Sequence, residues 1–293
     1  MEKLVFSGHE TFPCKSLWLK KGFDFVSSKN DFKDEMAVGH LGVGKNMVSS
    51  IRFWLRAFSI TDLNDEINKD GPGWHLFKKG LDPYLEDHAS LWLLHYFLVK
   101  TGRASIYNLV FNDFRTERLE FVRENLMGYL KRKCEENSNG KQLFNEKTVA
   151  NDINVFFKNY LRPIKATKNI EDDFSSLLID LNLLKAIRSD DEEIKNRYSI
   201  NNDDRENIPW QLVLFAILDF SEESIISFTD LTTKPNSVGL VFAIATDGLY
   251  KKIQQIVEER PEVHFDDQYG IREIRFSERP DKWEILRSYY ASK

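Results

Sequence analysis

Residues 39–48 read GHLGVGKNMV, and the two ways of parsing them lead to different fold classes. As G-x-x-x-x-G-K the stretch is a phosphate-binding loop short of its last residue, which demands a buried strand before it and an α/β nucleotide fold around it. Parsed around Gly42 it is the middle of a helix-turn-helix, which demands only short amphipathic helices. The lead-in KNDFKDEMAV is charged and amphipathic, unlike a buried strand, and Lys45 is followed by Asn46 where a Ser or Thr hydroxyl would hold magnesium. No apolar strand ending in Asp stands out downstream as a second magnesium partner. The helix-turn-helix parse is preferred.

With Gly42 in the turn, Ala37 and Leu41 face inward before it, and Val43, Val48 and Ile51 face inward after it. Leu55 continues that stripe at spacings of three and four. Lys45, Asn46, Ser49, Arg52 and Arg56 fall mostly on the other side. Arg suits guanine, Asn suits adenine, and Ser and Lys suit backbone oxygens. The plainer readings are a solvated helix face or a protein-interaction module of the same shape. From Phe12 to Phe58 eight Lys or Arg stand against four acids, a local balance of +4 in a chain whose net charge is −5. A polyanion should therefore meet this end first. The next segment, SITDLNDEINKDGPGWHLFKKGLDP, reads as a winged extension whose Gly-Pro-Gly turn precedes Lys78 and Lys79, two lysines for the DNA backbone.

Hydrophobic periodicity places helices at about 12–28, 33–41, 45–58, 83–101, 116–134, 145–160, 171–185 and 207–220. Leu85, His88, Leu91, Trp92, His95, Tyr96 and Val99 form one apolar face, with Asp82 as cap and Pro83 at the first helical position. EENSNGKQ (135–142) reads as a loop, and Tyr198 and Ile200 alternate within a polar surface hairpin or linker at 188–207. After Ser221 the order becomes helix, strand, helix, strand, with GLVFAIA (239–245) as a strand, Thr246 capping the next helix, and DKWEILRSYY as a last helix docking its aromatics. The expected architecture is mainly α with a small α+β part. It comprises a winged helix-turn-helix domain at 1–82, a helical domain at 83–220 and a small mixed domain at 221–293.

A charged content of 30% beside 42% hydrophobic residues belongs to an ordinary globular protein. No apolar run of about 18 residues spans a membrane, and the first residues lack a secretory h-region, so a cytoplasmic protein is expected. Cys14 and Cys134, 120 positions apart, offer neither metal spacing nor a disulfide framework.

Two clusters carry possible chemistry. In SGHETFPC, His9 is a candidate general base or metal ligand and Glu10 a candidate magnesium ligand. The preferred alternative has both residues bonding to backbone around the turn before Pro13. Cys14 beside them reads as a buried thiol in preference to a reactive one. In DPYLEDHASLWLLHYF, Glu86, Asp87, His88 and His95 are candidates for a phosphodiesterase site. The preferred alternative is a core-facing histidine pair with acids favoured by the helix dipole. The catalytic candidates are His9, Glu10, Asp87 and His88; the metal candidates are Glu10, Glu86 and Asp87, for Mg2+ or Mn2+.

The phrases FSGHETFPCKSLWLKKG, LGVGKNMVSSIRFWLRAF, DPYLEDHASLWLLHYFLV and YGIREIRF resemble the SspB-like family of DNA phosphorothioation systems, domain of unknown function 4007. The resemblance runs along nearly the whole chain. It implies a bacterial anti-phage defence protein that binds double-stranded DNA beside a cysteine desulfurase, an ATP pyrophosphatase and an ATPase. It also implies a nicking endonuclease that opens one strand for sulfur incorporation. The phrases mark membership and no active-site motif, so a recruiter or transcriptional regulator without chemistry stays open as the alternative.

Overall fold

The structure is a computed structural model and describes residues 4–137, 144–162, 176–187, 196–268 and 270–293. It is mainly helical with two small antiparallel sheets, and it divides into two compact units, Met1–Ile200 and Asn201–Lys293. The finer division at 82 and 220 is a proposal about which pieces fold alone.

In the first unit, α1 (Trp18–Ser27), α2 (Ala37–Leu41) and α3 (Lys45–Ala57) pack on one another. α1 starts later than the periodicity predicts because the Cys14 backbone is held open, its N–H on the Asn159 side chain (3.0 Å) and its carbonyl on the Leu177 N–H (2.9 Å). α2 is also shorter than expected: the Asp31 and Asp34 carboxylates take the Lys33 and Met36 N–H groups (2.9 and 2.8 Å), and such local turns compete with helix. α1 and α3 approach closely at Gly22, where a Cβ would lie 2.8 Å from both Ile51 Cγ2 and Leu55 Cδ1. Gly22→Ala should therefore cost about 1–3 kcal/mol by overpacking, measured by urea unfolding.

α4 (His88–Thr101) begins five residues after Pro83, with Asp87 as its cap accepting from Ala89 N–H (2.8 Å). Asp82 does another job. Buried, it gathers the Glu86 and Asp87 N–H groups (3.0 Å each) and the Ser90 hydroxyl, closing the loop ahead of the helix. Every residue from Ala89 to Val99 is buried, so the expected single apolar face is a helix covered all round. The intervening Leu93, Leu94, Phe97 and Leu98 are as apolar as the periodic set, which is why periodicity misjudged it. α5 (Ser105–Leu109) and a π-turn at Val110–Phe114 pack on α4, α6 (Arg123–Asn137) packs on α7 (Glu146–Tyr160), and the core is filled with Trp54, Trp92, Tyr96, Tyr107, Phe111, Phe156 and Tyr160. His95 is fully buried there and bonds Tyr160 Oη through Nδ1 (2.8 Å).

Strands β1 (Glu120–Val122), β2 (Lys185–Ile187) and β3 (Arg197–Ser199) form the first sheet in the order β1-β3-β2, with Tyr198 opposite both Phe121 and Ala186. β2 and β3 realise the hairpin expected near 188–207, while its residues 188–195 lie outside the described ones. Of the helix expected at 171–185, residues 171–175 also lie outside; the rest is a 3-10 turn at Ile179–Leu181 followed by β2. The loop expected at 135–142 lies outside from residue 138 on, and 135–137 still belong to α6.

The second unit centres on α8 (Trp210–Phe220), against which Trp283 packs on Phe215 with ring centroids 4.7 Å apart. Its sheet runs β4 (Ile225–Ser227), β6 (Ile271–Phe276), β5 (Val263–Gln268), with Ile274 paired to Ile226 and Phe265. ISFTDLTT supplies β4 and then α9 (Phe228–Thr233). GLVFAIA, expected as a strand, instead contributes α10 (Val238–Val241), because Ser237 caps it at Leu240 N–H and Gly239 presses on Thr232, where a Cβ would meet Cα at 2.7 Å. α11 (Thr246–Glu259) is capped by Ala245, with Thr246 inside the helix, and α12 (Lys282–Ala291) by the Asp281 carboxylate.

Candidate nucleic-acid interface

The turn between α2 and α3 is built on Gly42, whose φ of 60° and ψ of 36° lie in the left-handed region that glycine adopts without strain. Lys21 Nζ donates to the Leu41 carbonyl (2.9 Å), so one lysine of the basic end is spent closing α2. The Gly44 carbonyl accepts from Met47 and Val48 N–H (2.9 and 3.0 Å) and starts α3. Ala37, Leu41, Val48, Ile51 and Leu55 are buried as the stripe predicts, with Val43 half-buried at the turn.

The opposite face of α3 is not uniform. Lys45, Asn46 and Ser49 are exposed, and their side chains make no hydrogen bond or ion pair among the described residues. Arg52 and Arg56 are paired instead, both with Asp65. Arg52 Nε donates to both carboxylate oxygens (3.1 and 2.9 Å) with Nη2 at 2.6 Å, and Arg56 Nε and Nη2 approach Oδ1 at 2.9 and 2.8 Å. Arg56 Nη2 also donates to the Leu63 carbonyl (2.8 Å). The hydrogen bonds from Arg52 to Asp65 hold its guanidinium protonated more firmly than in an ordinary arginine, against the opposing effect of burial.

That pairing comes from the segment read as a wing. Among its described residues it contains no named strand, only an isolated antiparallel bridge between Thr61 and Ile67. The Asp62 carboxylate takes the Asn64 and Glu66 N–H groups (2.8 Å each), which curls the loop and brings Asp65 onto α3. Gly71 and Gly73 then press on Ser59 and Ile60, where Cβ atoms would lie 2.0 and 2.6 Å away, and the chain enters a π-turn at Trp74–Lys78. Lys78 and Lys79 are exposed at its end, with Lys79 Nζ 5.9 Å from the Trp74 ring centroid.

The residues nominated for chemistry sit in two places. His9 and Asp152 are buried, 2% and 3% exposed, with His9 Nε2 3.1 Å from Asp152 Oδ1 and Nδ1 3.1 Å from the Glu10 carbonyl. Both ring nitrogens face acceptor oxygens, and the ring stacks on Trp54 at 5.8 Å. Glu10, at φ 55°, is exposed, and its carbonyl also accepts from Asn151. Cys14 is fully buried, and burial pushes its thiol well above the usual range, away from the reactive thiolate. At the start of α4, Glu86 and His88 are exposed, and Asp87 caps the helix. Among the described residues no three His, Cys, Asp or Glu side chains gather closely enough to hold a metal ion. Asp65 and Asp152, the partners of Arg52, Arg56 and His9, are neighbours that sequence reasoning missed. Asp65 had a signal in the turn-forming DLND, while Asp152 lies 143 residues from His9 and had none.

No helix among the described residues is long and apolar enough to cross a membrane. No curated protein matches the chain. The magnesium ion-bound SspB crystal structure is similar with a TM-score of 0.84 and 24% identity, covering 99% of this chain and 88% of that one. A second SspB crystal structure gives 0.82 and 25% identity over the same shares of the two chains. The family model for a protein of unknown function, DUF4007, matches residues 6–290, and the chain belongs to that family.

Proposed function

We propose that this chain binds double-stranded DNA through α2, the Gly42 turn and α3, and that it serves a bacterial DNA phosphorothioation system as its nicking subunit. One observation carries the binding: a buried stripe on α3 backs an exposed Lys45, Asn46 and Ser49 at the helix start, the end that enters a major groove in helix-turn-helix proteins. Lys78 and Lys79 belong to the same proposal as partners of the DNA backbone, with the loop at 61–67 and the π-turn in the position of a wing. The similarity to SspB supports placing it beside the cysteine desulfurase, ATP pyrophosphatase and ATPase of such a system.

A recruiter or regulator without chemistry is the second reading, and a specific observation favours it: His9 and Asp87 are engaged in structural hydrogen bonds. Supercoiled plasmid incubated with the pure protein and Mg2+ or Mn2+, with and without chelator, separates the two. Open circles that vanish with chelator support nicking, and their absence at every metal concentration supports the recruiter. Of the four residues proposed for chemistry, Glu10 and His88 are exposed, so their alanine variants should fold normally and lose most nicking. Normal nicking by both variants would remove them from the site.

A further inference from the structure

Beside α3 lies a cleft of about 660 Å³, bounded by the end of α1, the loop after it and the loop at 61–69. Lys29, Lys33 and Lys69 line it, and none of them makes an ion pair among the described residues. Its acids are Asp31, Asp65 and Glu66; Asp65 is taken by Arg52 and Arg56, and Asp31 accepts the Lys33 N–H. The cleft also holds Trp74, the one tryptophan of the first unit, among its described residues, that is not buried. No aromatic side chain packs on it among the described residues, whereas Trp18, Trp54 and Trp92 all lie against other rings. Its ring is met instead by the ammonium groups of Lys69 and Lys79, each 5.9 Å from the centroid. A half-buried indole among such lysines has the chemistry of a single-strand site, where a base stacks on the ring and phosphates meet the cations.

Resting on the DNA-binding reading, we propose that this cleft takes an unpaired nucleotide of the DNA strand, its base on Trp74 and its phosphates on Lys29, Lys33 and Lys69. The cleft shares Arg52 with the outer face of α3, so a duplex docked on α3 would present its displaced nucleotide to Trp74. The protein thereby prefers DNA that is already open at one position.

Fluorescence anisotropy with a labelled intact duplex and the same duplex carrying a two-nucleotide bulge tests this. Wild type should bind the bulged probe about tenfold more tightly, the scale of one base–aromatic stack. Trp74→Ala should erase that preference, and a circular dichroism spectrum unchanged from wild type shows that the variant folds. Trp74→Phe should restore part of it, and Lys29→Ala with Lys33→Ala should weaken the bulged probe more than the intact duplex. Equal affinity of wild type for both probes overturns the cleft assignment and leaves duplex docking standing. No binding of either probe overturns both. Displacement of the bulged probe by micromolar deoxyadenosine monophosphate would make the cleft a site for free nucleotides and overturn the strand assignment.

Discussion

Asp152→Ala is expected to destabilise the first unit by about 2–5 kcal/mol, because it leaves the Ser7 N–H and the His9 ring without their buried acceptor, at about 1–3 kcal/mol for each stranded group. The carboxylate receives the Ser7 N–H at 2.9 and 3.2 Å and faces His9 Nε2 at 3.1 Å, in a place where water does not replace it. His9→Ala should be similarly costly, since it strands the Asp152 carboxylate and opens a hole beside Trp54 and Phe53. Asp152→Asn keeps an acceptor oxygen and should lose about half as much, while the double variant should lose less than the two single losses together. Urea unfolding followed by circular dichroism measures all four. A loss below about 1 kcal/mol for Asp152→Ala would mean that the SGHETFPC segment is not anchored this way. The same variants guard the chemistry: inactive His9→Ala that is also unfolded says nothing about catalysis.

The second large effect concerns DNA and runs in two directions. Lys45→Ala with Arg52→Ala and Arg56→Ala should weaken duplex binding by roughly 10²–10³-fold in low salt and flatten the slope of log K against log salt by about 0.9 for each phosphate that is no longer neutralised. Asp65→Asn should do the reverse. It removes the carboxylate that occupies both guanidinium groups, and so should tighten binding several-fold and steepen the slope. The cost in stability should stay near ~1 kcal/mol, since Asp65 and both arginines remain partly open to water. Anisotropy titrations across a salt series read both changes. If neither variant moved the affinity or its slope, α3 would not be the docking face.

The turn between α2 and α3 was legible because its signal is local. Gly42 must take a left-handed turn, and Val48, Ile51 and Leu55 can share a face only on a helix. Periodicity likewise placed α3 and α7 almost to the residue. It failed where side chains capture backbone, as at Asp82 before α4 and Ser237 before α10, because a cap competes with the regular element within one turn and hydrophobicity does not register it. The family was legible as well, since its phrases recur from FSGHETFPC near the start to YGIREIRF near the end, and the family model matches residues 6–290.

The state of the functional groups was decided only by tertiary structure. By itself the sequence determined that this end of the chain is basic, helical and turned at Gly42, because charge and periodicity are properties of neighbours. Which cations stay available depends on residues that folding brings up. Arg52 and Arg56 look equivalent to Lys45 along the helix, yet Asp65 arrives from the next loop and takes both, leaving Lys45 exposed. His9 stands alone in the sequence, and only the fold brings Asp152, from a helix 143 positions away, to 3.1 Å from its Nε2 in a buried place. Trp74 looks like one more core aromatic until the glycines before it, pressed on Ser59 and Ile60, turn it into a cleft beside three lysines. A charge or a ring acquires its role from the groups that desolvate or pair it, and those groups come together only after the chain has closed on itself.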